Sequence, residues 1–192
     1  MLSSVWLIGS MLARSVFADQ APNPRTPTTR PDGKGAMAAE RKPNWREHGI
    51  TIIPGSQLDL NTPQTPGMTR AAAITHARTG ANKLWVGTVA VQAAAKTGAH
   101  HHGELESVLY VISGRGRIRW GEHLEFVAEG GPGDFIYIPP FVPHQEINAS
   151  TTEILSCVVI RSGQEPIVVN LDLEPAEPPE EVYWVDPTHP RP

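Results

Sequence analysis

Between residues 83 and 170 the apolar runs of this 192-residue chain are short, and turn residues punctuate them. Segments 84–91, 107–112, 117–120, 123–128, 134–138, 144–148, 153–161 and 167–170 each have the length of a β-strand. Ser113-Gly114-Arg115-Gly116, Gly121-Glu122, Glu129-Gly130-Gly131-Pro132-Gly133 and Pro139-Pro140 lie between them. The 17 glycines and 19 prolines are many for a helical protein and natural for short strands joined by turns. Short strands at near-regular spacing predict an antiparallel sandwich or barrel. Upstream, residues 50–53 read as one more short strand, stopped by Pro54-Gly55, and residues 71–77 fit a helix or a strand equally.

The remaining composition narrows the function classes. The length suits one domain with tails, and 40% hydrophobic residues suffice for one core. A formal charge of −4 and scattered lysine and arginine argue against nucleic acid as a partner. The single cysteine, Cys157, cannot form an internal disulfide, and its apolar run (residues 154–160) suggests an inert buried thiol.

The ends divide from the middle. Residues 5–13 are apolar, and Val16-Phe17-Ala18 resembles a signal-peptidase site, so residues 1–18 read as an export signal. That run is too short to span a membrane and has no lysine or arginine before its apolar core. The preferred expectation is that Met37 is the true start and the protein is cytoplasmic, with export as the alternative. The expected organisation is a leader at 1–36, an N-terminal arm at 37–82 packing on a barrel at 83–170, and an acidic, Pro-rich tail at 171–192. Within that tail Val182-Tyr183-Trp184-Val185 is expected to pack on the barrel or on a partner.

Chemistry concentrates in His100-His101-His102-Gly103-Glu104-Leu105-Glu106 and in His144. On an extended strand His100 and His102 project from the same face, where two imidazoles can chelate one ion. Glu106 has the same parity and offers a carboxylate, and His144, at a Pro-flanked strand start, offers another nitrogen. Nitrogen and carboxylate donors without thiolate suit manganese, iron, nickel, copper or zinc.

These two segments resemble the motifs of the cupin superfamily. The first motif is a glycine, five residues, His-x-His, three or four residues, Glu, six residues, Gly; the second is Gly, five residues, Pro-x-Gly, two residues, His, three residues, Asn. Here the first reads as His100, His102 and Glu106 through Gly114, and the second as Gly133, Pro139, His144 and Asn148. The resemblance covers about residues 83–161 and implies an all-β double-stranded β-helix, the jelly-roll or cupin barrel. Three positions depart from the pattern. Ala94 and Phe141 stand where the family has glycines. Seven residues separate Glu106 from Gly114 rather than six, so alignment on the glycine puts Ser107 at the carboxylate position. A one-residue bulge would reconcile the two alignments; otherwise the site has three histidines and no carboxylate.

The resemblance implies a metal shell of His100, His102, Glu106 and His144 around one divalent transition ion, iron or manganese before zinc, nickel or copper. No catalytic residue beyond the ligands is assigned. His101 has the opposite parity, and Glu104 is a substitute ligand only if the register slips. Of Gln145 and Glu146, one points with His144 and the other away. Arg117 and Arg119 read as exposed strand charges before they read as anchors for an anionic substrate. His48, His76, His123 and His189 have no partner pattern. The expected function is a metal-dependent, dioxygenase-like oxidoreductase acting on a small oxygenated molecule. A non-catalytic binding barrel and an isomerase or lyase are the alternatives. The expected partners are a small molecule and a second copy of the chain, with no membrane and no nucleic acid.

Overall fold

The computed structural model describes residues 44–47, 49–185 and 187–188. The expected leader, the Met37 start, His48 and His189 lie outside the described residues. The strands are β1 (Met68–Ile74), β2 (Trp85–Val91), β3 (His100–His101), β4 (Ser107–Ser113), β5 (Gly116–Trp120), β6 (Phe126–Gly130), β7 (Phe135–Ile138), β8 (His144–Asn148), β9 (Leu155–Arg161), β10 (Val169–Asn170) and β11 (Glu180–Glu181). They form a five-stranded sheet in the order β1-β2-β9-β4-β7 and a six-stranded sheet in the order β10-β3-β8-β5-β6-β11. This is the all-β jelly-roll architecture that the turn spacing and the two motifs imply.

The alternation that makes these segments strands also builds the core. Along β9, Leu155, Cys157, Val159 and Arg161 are buried, and the residues between them are only partly so. Along β4, Ser107, Leu109 and Val111 point inward in the same way. Val89, Val91, Leu109, Val111, Ile118, Leu155 and Val159 pack into one cluster. Burying each such side chain contributes about 1.5–3 kcal/mol. Both chemistry-bearing strands end on this interior: β9 in Arg161, and β8 in the run that starts with His144.

Two upstream readings resolve differently. Residues 50–53 form no strand, and Ile50 and Ile52 are 97% and 84% exposed. An isolated extended segment has no ladder to satisfy its backbone groups, so an apolar run alone does not make it a strand. Residues 71–77 divide between the two options. β1 continues to Ile74, then Thr75 caps the short helix α1 (His76–Thr79), and Gly80 closes it at φ 72°. β1 pairs with β2 along its length, so the segment before residue 83 contributes an edge strand to the five-stranded sheet. β6 starts at Phe126, later than expected, because Leu124 turns inward at φ 49° and is 1% exposed.

The C-terminal segment returns to the barrel through its backbone. β11 pairs in parallel with β6, and Val182 N–H donates to the Val127 carbonyl. Arg119, 9% exposed, ties the same segment down by donating to the Leu124 and Ala176 carbonyls and pairing with Glu177 at 2.6 Å. Tyr183, Trp184 and Val185 stay exposed. Among the described residues no helix is long and apolar enough to cross a membrane.

Candidate metal centre

β3 and β8 are antiparallel neighbours, and His100 lies directly opposite His144. His102 follows β3 with the parity of His100. The three ring centroids stand 4.4, 4.9 and 5.1 Å apart. The rings are 3%, 2% and 1% exposed for His100, His102 and His144. Each is oriented by a backbone carbonyl at Nδ1: Gly98 at 3.0 Å, Ile167 at 2.9 Å and Val142 at 2.8 Å respectively. A carbonyl can only accept, so the network assigns the proton to Nδ1 and leaves a lone pair on every Nε2. His144 Nε2 is buried with no hydrogen-bond partner.

The carboxylate in this cluster is Glu146. One ligand atom from each of His100, His102, His144 and Glu146 lies within 4.8 Å of the others. Glu146 Oε2 is 3.6 Å from His100 Nε2 and has no hydrogen-bond partner. Burial, and then the positive charge of Arg161, pushes the His102 imidazole down to about 3. Burial likewise lowers His144. Burial pushes the Glu146 carboxyl up, but the three imidazoles and Arg70 outweigh it and hold it below the usual range. Three imidazole nitrogens and a carboxylate oxygen, with no thiolate, form a donor set that fits a divalent cation.

The expected ligand Glu106 is therefore corrected. It is exposed, and its carboxylate accepts a 2.6 Å hydrogen bond from the Tyr137 hydroxyl. The physical reason is strand parity. Pairing of Ser107 with Ile138 and Arg161 turns Ser107 inward and Glu106 outward. A bulge does occur in β4, but at Ile112, between Val111 and Ser113, too far along to bring Glu106 in. Ser107 is 3% exposed, and its Oγ has no partner.

Other candidates also settle. His101 turns away, its Nδ1 accepting from Gly103 N–H and its ring 6.0 Å from Phe141. Glu104 is exposed. Gln145 is buried and donates to the Thr97 carbonyl. Arg117 is ion-paired with Glu129 at 2.5 Å, and Arg119 serves the C-terminal segment, so neither reaches the centre. Burial, with the charge of Glu146, pushes the Cys157 thiol up to about 11, which removes it as a nucleophile near neutral pH. Ala94 and Phe141, the two non-glycines at family glycine positions, both hold the left-handed backbone, at φ 60° and 59°.

Sequence reasoning left two residues unassigned. Glu146 lies two residues after His144 on the same strand, and the same-face rule applied to His100 and His102 identifies it. Arg161 gives no local signal. It ends β9, is 8% exposed, lies across from Ser107, and places Nη2 at 3.4 Å from His102 Nε2. Arg161, Glu146 and the half-buried Arg70 line one cavity, whose other walls include Val89, Ile118 and Cys157.

Fold and site together define a class: a double-stranded β-helix with three histidines and a glutamate gathered as for a divalent metal. The cupin domain family model matches residues 87–161, so this part of the chain carries a cupin domain. Its fold is similar to the polyketide cyclase RemF from Streptomyces resistomycificus, with 22% identity over 68% of this chain and 89% of that one, and a TM-score of 0.52. It is also similar to Peruvianin-I, a cysteine peptidase from Thevetia peruviana latex, at 17% identity over 64% and 77% of the chains and a TM-score of 0.52. An oxalate decarboxylase matches at 21% identity over 60% of this chain but 31% of its own, with a TM-score of 0.50. At these identities the likeness is one of fold. No curated protein sequence matches the chain.

Proposed function

We propose that this protein is a mononuclear metal enzyme of the dioxygenase type, acting on a small oxygenated organic molecule. The observation that carries the reading is the convergence of three Nε2 lone pairs and the Glu146 carboxylate within 4.8 Å of one another. His100, His102, His144 and Glu146 would hold iron or manganese. The bound ion would polarise a substrate oxygen as a Lewis acid and make oxidation by dioxygen accessible. The chain's own residues do the rest. Carbonyls at each Nδ1 hold the rings in one tautomer and prevent them from swinging to solvent. The apolar wall of Val89, Ile118 and Cys157 restricts water beside the centre. Glu146 Oε2, free of hydrogen bonds within the chain, is available to the ion.

Two measurements test this. Elemental analysis of tag-free protein is expected to give about one transition-metal ion per chain. The iron-loaded protein is expected to consume oxygen with a member of a panel of enolisable dicarbonyls and phenols. Turnover without oxygen uptake would move the assignment to an isomerase or lyase, and binding without turnover to a sensing barrel. The proposal includes a homodimer: β7 is a sheet edge whose Phe135 and Tyr137 are 71% and 56% exposed. Sedimentation equilibrium decides it.

A further inference from the structure

Arg161 is a buried cation that shares a cavity with the Glu146 carboxylate but forms no ion pair with it. Its Nε has no hydrogen-bond partner, and among the described residues it forms no ion pair. Its side-chain contact is the 3.4 Å approach of Nη2 to His102 Nε2. That lone pair is the one a metal would take, and one lone pair cannot serve both. With the centre filled, Arg161 loses this acceptor as well. Removing a guanidinium from water without an acceptor is expensive, so the arrangement calls for an anion from outside the chain.

Three further features agree. Arg70, from β1, borders the same two cavities as Arg161, and among the described residues it is also without an ion pair. Ser107, directly across from Arg161, carries a buried hydroxyl with no partner. Serine at that position brings no charge to offset the guanidinium. Glu146 is the carboxylate lining the first cavity, and a divalent ion uses it; the exposed Glu165 borders the second. Beyond the charged end the cavity is walled by Val91, Leu155 and Met68.

Resting on the metal reading above, we propose that the substrate is a small carboxylate with a short apolar body. Its anionic oxygens are received by Arg161 and Arg70 with the Ser107 hydroxyl, and its apolar end enters the barrel. Guanidinium forks suit a carboxylate because two parallel N–H groups match its two oxygens. The matched amide keeps the shape and loses the charge, which makes it the discriminating probe.

The experiment titrates butanoate and butanamide into the manganese-loaded protein by calorimetry, with metal content measured on every sample. Butanoate is expected to bind at least tenfold more tightly than butanamide. Arg161→Gln and Arg70→Gln are expected to erase that preference with metal content unchanged. Ser107→Glu is expected to do so as well, by supplying an internal carboxylate to Arg161. Should Arg161→Gln fail to fold, Ser107→Glu and Arg70→Gln carry the test. Equal binding of acid and amide by metal-loaded wild type overturns the inference, as does a preference that survives both arginine substitutions. Wild type that takes no metal yet prefers butanoate through Arg161 overturns the metal reading and keeps the anion site. Wild type that takes no metal and shows no preference overturns both.

Discussion

Arg119 and Arg161 are both buried arginines at the ends of strands, one in each sheet, and their surroundings are opposites. Arg119 spends Nε on the Leu124 carbonyl, Nη1 on Glu177 and Nη2 on the Ala176 carbonyl. Arg161 has an orphaned Nε and a 3.4 Å contact to an imidazole. Around it lie the remaining buried polar atoms without partners among the described residues: Ser107 Oγ, His144 Nε2 and Glu146 Oε2. Unsatisfied buried polar groups destabilise a fold, so a cluster of four in one place indicates groups waiting for a ligand rather than a packing fault. One corner of the barrel uses its polar atoms to hold the chain; the other keeps them available.

If that contrast is right, truncating the unsatisfied corner should empty the site without unfolding the barrel. His102→Ala or His144→Ala is expected to take bound metal from about one per chain to near zero, with the far-ultraviolet circular dichroism unchanged. Wild-type metal content in both variants would break the comparison outright. The carboxylates sharpen it. Glu146→Gln is expected to weaken metal binding in competition with a chelator by more than the roughly 10–100-fold that follows loss of a group supporting a ligand. Glu106→Gln, whose side chain is bonded to Tyr137 on the outer face, is expected to leave it unchanged.

Acid should find the same corner in the metal-free protein. The folded His102 imidazole titrates near 3 and His144 is lowered too, whereas an unfolded chain binds these protons near 6.5. Above about pH 6.5 both states are neutral at these rings and the contribution is flat. As pH falls below that value the unfolded state takes protons that the native state refuses, so stability falls, by up to about 1.4 kcal/mol per pH unit for each ring. Urea unfolding between pH 7.5 and 5.5 measures it, and His144→Ala should show a smaller slope. Metal binding keeps these rings unprotonated in the native state, so the slope should persist in that window.

The arginines themselves come next in size. Arg119→Met is expected to destabilise by about 2–3 kcal/mol, because it strips partners from Glu177 and two carbonyls. Arg161→Met in the metal-free protein is expected to stabilise, by about 1–4 kcal/mol, since it removes a buried cation that made no ion pair. Equal losses in the two would mean that Arg161 is as structural as Arg119. The smallest effect is expected at Ala94, held at φ 60°. Ala94→Gly should relieve left-handed strain of about 1–2 kcal/mol and give back about 0.4–1 kcal/mol in unfolded-chain entropy. The result is a stabilisation within about 1 kcal/mol, read from a thermal melt.

Much of this architecture was legible in the chain before any coordinates. β8 covers residues 144–148 as read, and the strands at 84–91, 107–112 and 153–161 differ from β2, β4 and β9 by one or two terminal residues. The failures share a cause. Residues 50–53 look like a strand because their side chains do, but a strand exists only where another chain segment completes its ladder. Glu106 looked like a ligand because its parity matched the histidines, yet Gly103, at φ 59°, and the turn that follows His102 restart the count before β4 begins. Glu146 was overlooked although the same counting rule, started from His144, points to it.

The amino-acid order alone determined the strand alternation, the turn positions and the pairing of His100 with His102, because a period of two is built into an extended backbone. Tertiary structure alone decided which glutamate faces those histidines, that Ser107 stands across from Arg161, and that Arg161 forms no ion pair among the described residues. Those are relations between segments far apart along the chain, and they depend on cross-strand register, which one residue's slip reverses from inside to outside.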